Sequence, residues 1–252
     1  SSLRPYDRTC GWDGFDPLGD CDVADYGEMA VDDGDVGGVP DLVQAHIAGI
    51  LGQGCPAITL GGDHFITLPI LRAYAEKYGP LSVVQFDAHA DLRESYEGSP
   101  FNHACVMRRI HGDAHLCQIG LRAIDKEEAV FIKEHDLDVF FARDIVGKTD
   151  WHERALQNIK DNVYITFDLD AFDCSLMPAT GTPEPGGLFW YDALLFLKKL
   201  IFQKNIIGMD IVELSPLEYS RAPDFTAAKL LYKMIGYLSY KKTLNKTDSS
   251  LK

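Results

Sequence analysis

No apolar run in this 252-residue chain approaches the roughly 18 to 20 residues of a membrane-crossing helix, so no span is expected. The opening Ser1-Ser2-Leu3-Arg4-Pro5 lacks the apolar stretch of a secretory signal. Basic residues are scarce: 24 Lys and Arg stand against 38 Asp and Glu, a formal charge of −14. That field repels phosphate backbones and anionic lipid headgroups, which argues against a nucleic-acid or membrane partner and tilts toward a small cationic ligand. The six cysteines (Cys10, Cys21, Cys55, Cys105, Cys117, Cys174) form no Cys-x-x-Cys pair. A chain this long needs no disulfide staples, so reduced thiols and a cytoplasmic address are expected. Also missing are a Gly-x-Ser-x-Gly elbow, a Walker loop, a His-Glu-x-x-His helix and a dinucleotide-binding glycine fingerprint. Cys105 lies two residues from His103, but that spacing does not make a thiol–imidazole pair.

What is present suffices for one core. Hydrophobic residues make up 46% and charged residues 25%, the balance of a globular chain, and a single domain over residues 1–252 is expected. Residues 1–40, rich in Asp and Gly, read as an acidic loop-rich lead-in. An EF-hand reading of Asp32 to Gly38 fails for want of an acid at the closing position. From Pro40 the pattern alternates: helix 41–51, strand 55–60, helix 66–78, strand 81–86, helix 104–111, strand 115–119, helix 126–135, strand 137–141, helix 151–160, strand 163–167, helix 191–203, strand 206–212 and helix 225–239. Short apolar strands separated by helices predict an α/β fold, a parallel sheet with helices on both faces. The lysine-rich tail, residues 241–252, reads as frayed.

Ligands of an open parallel sheet bind beyond the carboxyl ends of its strands. Four strand ends here carry acids or imidazoles: Gly61-Gly62-Asp63-His64, Asp87-Ala88-His89-Ala90-Asp91, Asp168-Leu169-Asp170 and Glu213. Extended backbone would put Asp87, His89 and Asp91 on one face and Asp168 with Asp170 on another. Taken singly, His64 reads as a turn histidine, Asp168-Leu169-Asp170 as a cap, Glu213 as a salt-bridge partner and His103 as a helix-start histidine. Taken together, so many carboxylates in one crevice repel unless cations neutralise them. Four carboxylates with two imidazoles exceed the needs of one tetrahedral zinc and suit two ions. The oxygen-rich set without thiolate favours Mn²⁺, with Zn²⁺, Fe²⁺, Co²⁺ and Ni²⁺ left open.

The segments Gly61-Gly62-Asp63-His64, Phe86-Asp87-Ala88-His89-Ala90-Asp91-Leu92, Thr166-Phe167-Asp168-Leu169-Asp170-Ala171-Phe172-Asp173, Thr180-Gly181-Thr182-Pro183-Glu184-Pro185-Gly186-Gly187-Leu188 and Gly208-Met209-Asp210-Ile211-Val212-Glu213-Leu214-Ser215-Pro216 resemble the signatures of the ureohydrolase (arginase/agmatinase) family. The likeness runs in order from about residue 3 to 240, and the stretch from His103 to Ile110 is more similar to the agmatinase branch. The resemblance implies a three-layer αβα domain with a mostly parallel sheet. It also implies that the family's N-terminal βα unit precedes the point where Ser1 aligns and is missing here.

It further implies two Mn²⁺, one held by His64, Asp87, Asp91 and Asp168 and the other by Asp87, His89, Asp168 and Asp170. A metal-bridging hydroxide would attack the guanidinium carbon, with Asp91 relaying a proton, His103 shuttling protons and Glu213 pairing with the guanidinium. The implied reaction yields urea and an amine, putrescine if the substrate is agmatine, which points to polyamine biosynthesis. Guanidinobutyrate and guanidinopropionate are the alternative substrates, and trimers or hexamers the implied assembly. Two other readings stand beside this one: a non-catalytic metal-binding homologue, and a two-metal phosphoesterase that would need Arg93 or Arg122 to hold phosphate.

Overall fold

The computed structural model describes residues 23–30, 36–54 and 56–250; Cys10, Cys21, Cys55, the acidic stretch 31–35 and most of the lead-in lie outside them. Helix and strand alternate as expected: α1 (Val39–Gly52), β1 (Ile58–Leu60), α2 (Thr67–Tyr78), β2 (Leu81–Phe86), α3 (Val106–Ile110), β3 (Ala114–Leu121), α4 (Lys126–Glu134), β4 (Asp138–Phe141), α5 (Ala142–Ile145), α6 (His152–Asn158), β5 (Val163–Asp168), α7 (Trp190–Gln203), β6 (Ile206–Val212) and α8 (Ala222–Ser250). The local reasons are ordinary ones. Helix α1 opens on Pro40, whose missing N–H costs nothing at a helix start, and buries the stripe Val43, Ile47 and Leu51. Helix α4 opens on a reciprocal capping box between Asp125 and Glu128. The four-residue α5 directly after β4 has no counterpart in the expected pattern.

The strands form one sheet in the order β1-β6-β5-β2-β3-β4, and every neighbouring pair is parallel. Side chains alternate between two cores. Val83 and Tyr164 pack with α1, α2 and α3 on one face, while Val84, Ile165 and Phe167 pack with α6, α7 and α8 on the other. Connections from β2 run toward β3 and β4, and those from β5 run the opposite way to β6. The central crevice between the ends of β2 and β5 is therefore the topological switch point, where ligands bind in such sheets.

Helix α8 runs into the lysine-rich end as far as Ser250. Lys241 Nζ donates to the carbonyls of Ile201 at 2.9 Å and Lys204 at 2.6 Å, at the end of α7. A lysine that satisfies the unpaired carbonyls of a neighbouring helix end reads in sequence like one in solvent.

Close packing also dictates Gly208 in β6. A β-carbon there would lie 2.2 Å from the ring and hydroxyl of buried Tyr74, whose hydroxyl is tied to the backbone of Ala57. Gly208→Ala is expected to destabilise the protein by about 1–3 kcal/mol through overpacking, read as a lowered denaturant midpoint at unchanged slope.

Candidate metal centre

Each acid or imidazole at the strand ends is set by a local device. His64 opens a 3₁₀ turn (His64–Ile66) after β1, capped by the Asp63 carboxylate, which accepts from Phe65 N at 2.8 Å. Asp87 follows β2; its Oδ1 accepts from His89 N at 2.7 Å and its Oδ2 from Gln85 Nε2 at 2.6 Å. Asp168 ends β5 and caps the 3₁₀ turn Leu169–Ala171, its Oδ1 accepting from Asp170 N at 2.8 Å. Asp170 Oδ1 accepts from Ala88 N at 3.0 Å, which staples the β5 turn to the β2 turn.

Extended alternation is therefore not what gathers these groups. Asp168 and Asp170 converge through a 3₁₀ turn, and Asp91 is swung inward by a left-handed backbone with φ of 54°. Such a conformation costs a non-glycine residue of order 1 kcal/mol or more and must be held from outside. Asp91 O accepts from Arg108 N at 3.1 Å, and Glu128 of the α4 capping box accepts from Leu92 N at 3.0 Å.

The result is a dense cluster. His64 Nδ1 lies 3.2 Å from Asp87 Oδ2, 3.1 Å from Asp91 Oδ2 and 3.3 Å from Asp168 Oδ2. His89 Nδ1 lies 3.0 Å from Asp170 Oδ2 and 3.6 Å from Asp87 Oδ1. Two groups, His64-Asp87-Asp168 and Asp87-His89-Asp170, each offer ligand atoms within 4.8 Å of one another and share Asp87. Burial, then repulsion from Asp87, pushes the Asp91 carboxyl up to about 7. Burial followed by the charges of Asp170 and Asp87 raises Asp168 well above the carboxylate range. Burial opposes charge on His89, yet hydrogen bonding to Asp170 and Asp87 lifts it to about 11, and Asp168, Asp87 and Asp91 likewise lift His64. Without cations, then, protons do the neutralising.

The donor set fits divalent metal. His64 Nδ1 is buried and lies 3.1–3.3 Å from three carboxylate oxygens, none of them well aligned for a hydrogen bond, so a cation that displaces its proton meets four donor atoms at once. Carboxylate oxygens with one imidazole per group suit Mn²⁺ and its first-row neighbours.

Glu213, again left-handed with φ of 65°, flanks the cluster; its Oε1 accepts from His64 N at 2.6 Å and its Oε2 lies beside Gly181. Burial raises its carboxyl, partly offset by that hydrogen bond. Half-exposed His103 stands with Nδ1 3.1 Å from Asp63 Oδ2, and that hydrogen bond holds its imidazole above the usual range. Neither arginine offered for phosphate is free for it. Arg93 sits 3.3 Å from Asp125, and Arg122 donates to the carbonyls of Gly120, Asp170, Ala171, Phe172, Glu184 and Pro185. Arg122 so fastens the 180–188 loop to the turn that carries Asp170, and Thr182 Oγ1 reaches Asp170 Oδ2 at 3.3 Å.

Residue-by-residue reading misses the layer beneath. Gln118, Gln85, Thr166 and Asp210 are wholly buried and lie in register across β3, β2, β5 and β6, one row under the carboxylates. Gln118 Nε2 donates to Gln85 Oε1 at 2.5 Å, which turns the Gln85 amide toward Asp87. The available signal is a polar residue near the carboxyl end of each largely apolar strand: Gln85 one position before the end of β2, Gln118 three before that of β3, Thr166 two before Asp168 and Asp210 two before Val212.

A parallel αβα sheet with a carboxylate–imidazole cluster at its switch point carries its polar groups where such sheets bind ligands. Residues 2–236 match the model of the arginase family, and the chain belongs to that family. It is 43% identical over 194 residues to N(1)-aminopropylagmatine ureohydrolase of Synechocystis sp., covering 76% of this chain and 63% of that one. It is 41% identical over 180 residues to the agmatinase of Pyrococcus horikoshii, covering 71% and 62%. The chain thus spans less than two thirds of the length of these two curated relatives. Among solved structures, agmatine ureohydrolase of Thermoplasma volcanium superposes with a TM-score of 0.83 at 32% identity, covering 96% of this chain and 81% of that one. Arginase from Bacillus cereus does so with 0.77 at 27%, covering 85% and 84%.

Because His64, His89 and Asp91 hold protons that a metal must displace, Mn²⁺ binding is expected to tighten as pH rises from about 6 to 8 and to release protons. Calorimetric titration in buffers of different ionisation enthalpy reads this directly, and affinity independent of pH would contradict it.

Proposed function

We propose that this chain is a two-metal amidinohydrolase that cleaves a guanidino compound to urea and an amine, with agmatine as substrate and putrescine as its product. The observation that carries the reading is the unbonded His64 nitrogen facing three carboxylates, with Glu213 at its side, in a member of the arginase family. His64, Asp87, Asp91 and Asp168 would hold one Mn²⁺ and Asp87, His89, Asp168 and Asp170 the other. When bound, the ion pair supplies the Lewis acidity that makes water a nucleophile at neutral pH.

The protein's own groups do the rest. Glu213 pairs with the planar guanidinium, whose fork suits a carboxylate, and the substrate's charge relieves the buried acid. Asp91 Oδ2 takes the proton of the attacking water and returns it to the leaving nitrogen. His103, half in solvent, carries protons between this crevice and bulk water. The net change is one water consumed and one carbon–nitrogen bond broken. A longer polycation is the second reading, since relatives bear the name N(1)-aminopropylagmatine ureohydrolase and present the same guanidino end.

Urea release is the deciding assay, run with and without Mn²⁺ against agmatine, N(1)-aminopropylagmatine, arginine, 4-guanidinobutyrate and 3-guanidinopropionate. Asp168→Ala is expected to abolish both turnover and tight Mn²⁺ binding, whereas Glu213→Gln keeps the metal and loses on the order of 10²-fold in kcat/KM, about 3 kcal/mol. Wild-type turnover in Asp168→Ala would sink the two-metal reading.

The Asp63–His103 pair gives a pH test. Asp63 favours the charged imidazole, so Asp63→Asn is expected to lower the His103 pKa and move the basic limb of the pH–rate profile to lower pH. An unmoved limb, or an unmoved His103 titration by NMR, would remove Asp63 from the proton path.

A further inference from the structure

Below the cluster, a buried relay ends on His64 from the side away from the carboxylates. His64 Nε2 lies 2.9 Å from Thr166 Oγ1, and Thr166 Oγ1 donates to Asp210 Oδ1 at 2.6 Å. Asp210 Oδ2 accepts two further hydroxyls, from Tyr164 at 2.8 Å and Thr67 at 2.9 Å. All five residues are buried, so no solvent competes for these protons.

A hydroxyl has one proton to give. Thr166 spends its proton on Asp210, at a distance shorter than any other contact it makes, and toward His64 it can only accept. The 3.4 Å approach of Thr67 to Thr166 is the weaker of the two contacts Thr67 makes, its proton going to Asp210. His64 must then carry its proton on Nε2 whenever it is neutral, which leaves Nδ1 as a bare lone pair among Asp87, Asp91 and Asp168.

We propose that Asp210 and Thr166 are positioning residues that fix the tautomer and ring orientation of His64, and so set the affinity of the His64-side ion alone. The proposal rests on the two-metal reading above. It separates the two ions, because His89 reaches Asp170 and Asp87 and none of the relay residues. Acting through a ligand's outer nitrogen, such partners typically account for 10- to 100-fold in metal affinity.

The test is Mn²⁺ titration by calorimetry and electron paramagnetic resonance on wild type, Thr166→Val, Thr166→Ala and Thr166→Ser, with metal-free melting temperatures alongside. Thr166→Val keeps the side-chain volume and removes the acceptor; Thr166→Ala removes it with no risk of a clash should the valine variant fail to fold. One ion weakened 10- to 100-fold, the other unchanged, and serine restoring both is the expected result. Equal weakening of both ions, no weakening in a folded valine or alanine variant, or failure of serine to restore would overturn the assignment. A wild-type protein that binds no Mn²⁺ overturns the metal reading and the relay with it, whereas wild type with two ions and Thr166→Val with two equally tight ions overturns the relay alone.

Discussion

Four carboxylates share one dry crevice, and their mutual repulsion is the constraint around which the rest of this domain is arranged. The fold does not relieve it by spacing them apart. It pins them instead, and by one repeated device: a backbone amide takes Oδ1 of Asp87, of Asp168 and of Asp170, and in each case Oδ2 faces the imidazoles. A carboxylate with one oxygen fixed cannot rotate away from its neighbours, so the repulsion is stored until positive charge arrives. Protons can supply that charge, and divalent cations supply it better, since one ion answers several oxygens at once.

That arrangement requires a rigid support, and the sheet provides it. The two strands that end in the cluster are its central pair, buried on every residue, and the row beneath is polar across four strands. A buried polar row is costly unless every member is paired, and here Gln118 answers Gln85, Gln85 answers Asp87, and Thr166 answers both Asp210 and His64. The same hydrogen bonds that remove the cost of burial also aim the residues above.

Much of this was legible in the sequence, and the parts that were not share a cause. Strand and helix alternation follows from apolar runs of different period, and the carboxylates stand out because acids at several strand ends have no cheap structural explanation. Asp91 and Glu213 were visible as residues but not as left-handed ones, because conformation at a single non-glycine position leaves no mark in composition. Gln85, Thr166 and Asp210 each pass as an isolated polar residue in a strand. Only strand order, which the sequence does not state, places them side by side. Arg122 misled in the opposite sense: a basic residue just past a strand end suggests an anion, whereas this guanidinium is consumed by carbonyls of its own chain.

Arg122 also bears on how one cluster could serve different substrates. The cluster residues and Glu213 stand on strand ends and short turns, and in the reaction proposed above they would address only the guanidino end that agmatine and its aminopropyl derivative have in common. On that reading discrimination between the far ends falls to loops, and the 180–188 loop is bound through Arg122 to the very turn that carries Asp170. A loop so fastened cannot be reshaped freely, because any change that displaces the carbonyls of Glu184 or Pro185 pulls on the same guanidinium that steadies Asp170. Gly187 tightens the coupling further, since a β-carbon there would fall 2.6 Å from both the Arg122 guanidinium and the Asp173 amide.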